Sequence, residues 1–136
     1  MCKVGDIIVV THYKSHGVPL NRHSFVVVSL NDGQICGMDY DMVCTVMSSF
    51  HSEEHRQKKL SFPGNVEYDA SDETVKNGHG KSGYIKADQL YYFVQSDLNY
   101  FTIGEITPEL FKRLLERIES MDSIEHITDN LKGDSK

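Results

Sequence analysis

Residues Thr107 to Ile118 read TPELFKRLLERI. Threonine is a favoured N-cap, proline suits the first helical position, and glutamate suits the first turn. Leu110, Phe111, Leu114, Leu115 and Ile118 fall on one face at helical spacing. The pattern predicts an amphipathic helix from Pro108 to about Met121. Upstream of it the chain reads as short strands and turns. Strands and helices do not alternate, so a doubly wound parallel sheet is not expected. The expected fold class is mainly β (α+β): a small, strongly bent β-barrel of short antiparallel strands with a C-terminal amphipathic helix.

The strands follow from composition. Gly5-Asp6 is a turn signal before the β-branched run Ile7–Val10. Thr11 to Ser24, punctuated by Gly17 and Pro19, is expected to be a polar loop. Phe25–Leu30 (FVVVSL) is a continuous apolar strand, expected to be buried on both faces. Asn31-Asp32-Gly33 signals a hairpin into a short strand over Gln34–Met38. Met42–Phe50 (MVCTVMSSF) is a further buried strand ending in two serines. Ser52–Lys59 is charged and helix-compatible but lacks a clean apolar stripe, and is expected to be a surface loop or a single helical turn. Val66, Tyr68 and Ala70 alternate with acids, as in a half-exposed strand. Lys76–Gly83 reads as a flexible loop. Gly83–Phe93 has β-rich ends around a polar centre, and Tyr100–Ile103 is one more strand.

The chain has 136 residues. At about 150 residues per domain that is one domain, expected over residues 1–121, with a frayed polar tail over 122–136. Fourteen Lys+Arg against twenty Asp+Glu leave a net charge of −6, which argues against a polyanion binder held by bulk charge. The three cysteines, Cys2, Cys36 and Cys44, cannot all pair within the chain. Lys3 and Asp6 break the apolar start, so no signal peptide is expected and a cytoplasmic location is. No apolar run approaches the roughly 20 residues of a membrane-spanning helix.

Two motif matches fail on context. His51-Ser52-Glu53-Glu54-His55 fits the pattern H-x-x-E-H. That chemistry needs both histidines on one face of an anchored helix and a third ligand. Here the stretch reads as a solvated loop, and no metal is expected. Gly80-Lys81-Ser82 looks like the end of a P-loop, but Val75 stands where that motif requires glycine. Tyr91 and Tyr92 read as core and sheet-face packing, and Cys44 as a small buried residue.

One stretch carries chemistry. From Ile7 to Asn31 the chain contains no Asp or Glu, yet it holds His12, Lys14, His16, Arg22 and His23. In an acidic chain that is a local positive island. It suits phosphodiester cleavage, which needs a cation at the phosphate, a donor for the leaving oxygen and a base for the attacking hydroxyl. Arginine and histidine supply these near neutral pH. Ser48 and Ser49, at the end of a buried strand, can position a phosphate by hydrogen bonds.

The order of these pieces resembles the MazF/PemK-like toxins, the RNA-cleaving members of bacterial toxin–antitoxin pairs. From Lys3 to about Glu119, VGDIIVV resembles the family's first strand and RHSFVVVS its Arg-Pro with the following apolar run. VCTVMSS resembles the strand closed by Thr or Ser, GYIKADQLYYF the strand with Asp-Gln, and IGEITPELFKRLLERI the closing turn and helix. The resemblance implies an SH3-like barrel, usually a homodimer. It implies metal-independent cleavage of single-stranded RNA through the 2′-hydroxyl, no cofactor, and an antitoxin protein as partner. With a one-residue shift Arg22 takes the family's Arg position and stabilises the phosphate, the neighbouring His23 is expected to act as general acid or base, and Ser48, with Ser49 beside it, holds the catalytic hydroxyl position. Lys14, His16 and Lys81 are the candidate RNA-binding residues. The sequence departs from the family pattern in two places. An ungapped alignment puts His23 and Ser24 at the Arg-Pro positions, and Asp88-Gln89 is followed by Leu90 rather than arginine. Those departures favour, as an alternative, a catalytically silent barrel that binds a protein.

Overall fold

A computed structural model describes residues 2–30, 39–75 and 82–131. Nine strands and two helices occur among them. The strands are β1 (Asp6–Ser15), β2 (Val18–Leu30), β3 (Met42–Ser49), β4 (Asn65–Tyr68), β5 (Glu73–Val75), β6 (Gly83–Lys86), β7 (Gln89–Phe93), β8 (Tyr100–Ile106) and β9 (Glu125–Ile127). The helices are α1 (Glu53–Leu60) and α2 (Pro108–Ser120). They build one sheet in the order β4-β6-β3-β2-β1-β8-β5, with β7 beside β3 and β9 beside β7. The fold is mainly antiparallel β with a helix near its C-terminus, as expected. The sheet is not closed: β4 and β5 stand at opposite ends of the strand order, and β9 joins β7 in parallel.

The expected loop over Thr11–Ser24 is instead the arm of a long hairpin. β1 continues to Ser15, β2 starts at Val18, and Ser15 faces Val18 across the ladder. The two residues between them, His16 and Gly17, both have positive φ (54° and 79°). That is the primed two-residue turn whose twist matches its strands. Polar side chains hid the strands because the arm is solvated for much of its length, and charged residues tolerate a wet face.

The two expected buried strands form the centre. Phe25, Val26 and Val27 of β2 are fully buried, as are Met42, Cys44 and Thr45 of β3. Ile8, Val10, Phe25, Val27, Met42, Cys44, Val46, Tyr91 and Phe93 pack on one face. Ile7, Val26, Met47, Val66, Tyr68 and Ile85 pack on the other, where Leu110 and Leu114 of α2 cover them. Thr107 caps α2 by accepting a hydrogen bond from the Leu110 N–H. Tyr91 and Tyr92 are both core residues, on opposite faces.

The polar centre of Gly83–Phe93 is a turn at Ala87-Asp88 that splits the run into β6 and β7. Both halves pair with β3, β6 at Met47–Ser49 and β7 at Met42–Cys44. At the step between them the Thr45 hydroxyl donates to the Lys86 carbonyl.

Two further expectations are corrected. Ser52–Lys59 is not a loop or single turn but contributes the eight-residue helix α1. It buries none of its residues, so no apolar stripe marked it. It is held instead by Ser52, which accepts from the His55 N–H, and by the Arg56–Glu67 ion pair. The C-terminal segment is not frayed over residues 122–131. Ile127 and Leu131 are buried, Asp129 accepts from the Gly17 N–H at 2.6 Å, and Asn130 bonds the Lys14 backbone. The Asn31–Gly33 hairpin signal, the Gln34–Met38 strand, Cys36 and residues 76–81, Lys81 included, lie outside the described residues. No helix among those described is long and apolar enough to cross a membrane.

Candidate functional site

The centre of the site is set by register. Ser24 faces Met47 across β2–β3, so the next pair outward is His23 with Ser48. Ser48 in turn faces Tyr84 on β6, and Tyr84 faces Glu67 on β4. Directly opposed residues share a face of a sheet. His23, Ser48, Tyr84 and Glu67 therefore form one row across four strands, on the face that carries Phe25 and Val46. Ser48 Oγ lies 3.4 Å from His23 Nε2.

The backbone sets the chemistry of that contact. His23 Nδ1 lies 2.9 Å from the Ser24 backbone nitrogen, whose N–H can donate to it, and 3.2 Å from the Ser24 carbonyl oxygen, which accepts from it when it carries a proton. With a proton on Nε2, His23 donates to Ser48 Oγ and the serine O–H is free to donate to a third group. An anion is the natural acceptor. His23 is half-buried, and its ring meets Phe25 edge-on at 6.0 Å between centroids. Tyr68 donates from its hydroxyl to the Ser48 carbonyl at 3.2 Å, anchoring the end of β3.

Arg22 and Ser49 stand differently. Arg22 has φ of 24°, an uncommon conformation for a non-glycine residue. The β1–β2 ladder skips the Thr11/Arg22 step, and the Thr11 N–H donates to the Asn99 carbonyl at 3.0 Å instead. Strand alternation breaks there too. Ile8 and Val10 share a cluster with Tyr13, an odd-numbered residue. The exposed Arg22 guanidinium lies 5.6 Å above the centre of the Phe101 ring. Ser49 faces Gly83, and alternation sends its side chain to the opposite face from Ser48. Of the four expected catalytic residues, the structure brings His23 and Ser48 together and gives Arg22 and Ser49 other surroundings.

Lys14 and His16 lie at the far end of the hairpin, His16 roughly 20 Å along β2 from His23 at 3.3 Å per residue. His16 Nε2 pairs with the Glu125 carboxylate, and Asp129 sits on the turn. The acid-free stretch in the sequence is thus met in space by acids from the C-terminal segment.

His51 and His55 do not share a helix face. His51 precedes the cap, and its backbone N–H donates to His55 Nδ1 at 3.1 Å. Among the described residues no group of three or more His, Cys, Asp or Glu side chains is placed to hold a metal ion.

No protein-family model matches the chain, and no curated protein does. The site therefore rests on its own geometry.

Sequence reasoning missed Tyr84, Glu67, Arg56 and Phe50. Arg56 forks onto Glu67 through Nε and Nη2 at 2.9 and 2.7 Å. Phe50 stacks on Tyr84, centroids 5.6 Å apart and planes at 28°. Phe50 and Arg56 follow Ser48 closely in the chain, whereas Tyr84 and Glu67 are distant in sequence and only strand pairing brings them to Ser48.

Proposed function

We propose that this chain is an endoribonuclease of the MazF/PemK type, cutting single-stranded RNA without a metal. The observation that carries the reading is the His23–Ser48 contact, which sets a histidine at the departed Arg position of the resemblance beside the serine that matches the family's strand-end hydroxyl. In the proposed reaction the RNA's 2′-hydroxyl attacks the adjacent phosphorus and loses its proton to solvent water. The bond to the 5′-oxygen breaks, and protonated His23, its Nδ1–H donating to the Ser24 carbonyl oxygen, delivers a proton from Nε2 to that oxygen. The products are a cyclic phosphate and a 5′-hydroxyl. Ser48 donates its O–H to a phosphate oxygen. Arg22 reaches the phosphate by leaving Phe101, an exposed cation–π contact worth about 0.5–1 kcal/mol. An antitoxin protein, a homodimeric assembly and a cytoplasmic location belong to the same proposal.

A second reading is a catalytically silent fold that binds a protein partner. The seat of Arg22 on Phe101 favours it, because the expected phosphate cation is then engaged elsewhere. Induced expression in bacteria separates the two. Growth and RNA integrity are followed for wild type, Arg22→Ala, His23→Ala and Ser48→Ala. Growth arrest with cleaved RNA, relieved by His23→Ala and Ser48→Ala, is the nuclease outcome. Normal growth with intact RNA, from soluble and well-expressed wild type, leaves the protein-binding reading.

A further inference from the structure

Helix α1 has no role in the core, since none of its residues is buried. What it does is carry rings and cations to the end of β3. Tyr84 lies beneath Phe50, and His55 meets both rings edge-on at 6.2 Å between centroids. His51 extends the run, its ring 4.5 Å from that of His55. Lys59 Nζ lies 5.8 Å above the Tyr84 ring, and Lys58 is exposed beside it. Tyr84 is buried at the base, Phe50 and His55 are half-buried, and His51 is exposed. The run begins one strand away from Ser48.

The charge around it is positive. Burial pushes the His55 pKa down, and His51, Lys59 and Lys58 push it further in the same direction. Two of the nearby acids are engaged, Glu67 by the Arg56 fork and Glu53 by Arg56 and Gln57, while Glu54 is exposed in the first turn of α1, at the other end of the helix from Lys58 and Lys59. Aromatic faces accept any nucleobase by stacking, and cations beside them hold the backbone phosphates.

We infer that the Phe50, Tyr84, His55 and His51 rings, with Lys58 and Lys59, seat an unpaired base of a single-stranded RNA next to the phosphate held at His23 and Ser48. The inference rests on the RNA reading above and deepens it: RNA runs from the end of β3 onto α1. A base inside a duplex presents no free face to these rings, so the ligand is single-stranded.

The test uses a fluorescent 2′-O-methyl RNA of randomised sequence, about ten nucleotides long, which fits a single-strand site and cannot be cut through its 2′ position. A second probe carries 2-aminopurine bases, whose emission falls on stacking. Wild type is expected to bind and to quench. Phe50→Leu is expected to weaken binding at least about fivefold and to lose the quench, as stacking energies per base require. Phe50→Tyr, which keeps a ring, is expected to retain both. The double change Lys58→Gln/Lys59→Gln is expected to weaken binding and flatten its salt dependence. Circular dichroism melting checks that each variant is folded.

Unchanged affinity and quench in folded Phe50→Leu would overturn the inference. If that occurs while natural RNA is still cleaved, the nuclease reading survives without it. Phe50-dependent binding with no cleavage of any natural RNA would support the platform and sink the nuclease. Failure of wild type to bind the oligonucleotide would overturn both.

Discussion

Ser48 Oγ and His23 Nε2 stand 3.4 Å apart across two neighbouring strands, although 25 residues separate them in the chain. The contact joins a hydroxyl to a ring whose other nitrogen meets both the N–H and the carbonyl oxygen of the Ser24 backbone. If this pair does the chemistry, Ser48→Ala and His23→Ala each lower RNA cleavage by about 10²-fold or more, the usual worth of a positioned acid or base. Ser48→Thr keeps the hydroxyl and is expected to retain much more activity than Ser48→Ala. Initial rates on a mixed single-stranded RNA pool check the order.

Gly83 holds Ser48 in place by lacking a side chain. A Cβ there would sit 2.0 Å from the Ser48 carbonyl oxygen, 2.6 Å from the Tyr68 hydroxyl and 2.8 Å from Ser49 Cα. Two of those neighbours are backbone, so β6 and β3 must part. Gly83→Ala is expected to destabilise by about 1–3 kcal/mol or more and to lower activity with it. Urea unfolding and the cleavage assay read the two effects.

The C-terminal segment is a structural part of the sheet. Ile127 is 3% exposed and packs with Tyr13, Phe25 and Tyr91. Ile127→Ala is expected to cost about 2–5 kcal/mol. Amide exchange in β7 and at the hairpin tip is expected to quicken more than in α2, because β9 and the Asp129–Gly17 contact hold those regions.

His55 makes stability depend on pH. Its pKa lies below the ordinary 6.5 in the folded chain, from desolvation first and then from His51, Lys59 and Lys58. Between the folded and unfolded values the unfolded chain binds more protons, so stability falls as pH falls through that window below 6.5. Melting temperatures from neutral to mildly acidic pH are expected to drop more steeply in wild type than in His55→Gln.

Cys44 is fully buried, and burial pushes its thiol well above the usual range. The thiolate is the reactive form. Iodoacetamide is expected to spare Cys44 in the native chain and to label it in denaturant, with mass spectrometry of the peptides as the readout.

Much of the fold was legible because its signals are local. The Thr107 cap, Pro108 and the apolar spacing of α2 need no partner to be read, and the helix ends within one residue of its expected limit. The apolar runs of β2 and β3 are equally plain, since burial on both faces demands continuous apolar sequence. The hairpin arm was not legible. Tyr13 and Ser15 are buried while Lys14 is exposed, and the polar residues between them read as loop. The extent of α1 was under-read for a related reason: a helix held by a cap and an ion pair leaves no apolar stripe. Strand β9 is three residues long, and only its seat against β7 reveals it.

The sequence by itself determined a mainly β chain with one strong helix, an acid-free basic stretch and two serines closing a buried strand. Composition and periodicity are one-dimensional, and they suffice for these. Tertiary structure decided which of those residues meet. Register across β2, β3, β6 and β4 set His23, Ser48, Tyr84 and Glu67 in one row, and the kink at Arg22 sent its guanidinium to Phe101. It also brought Glu125 and Asp129 onto the basic hairpin, so that a positive island in the sequence is a mixed-charge surface in space. Strand pairing joins residues far apart in the chain through backbone hydrogen bonds. Local side-chain chemistry does not encode that pairing.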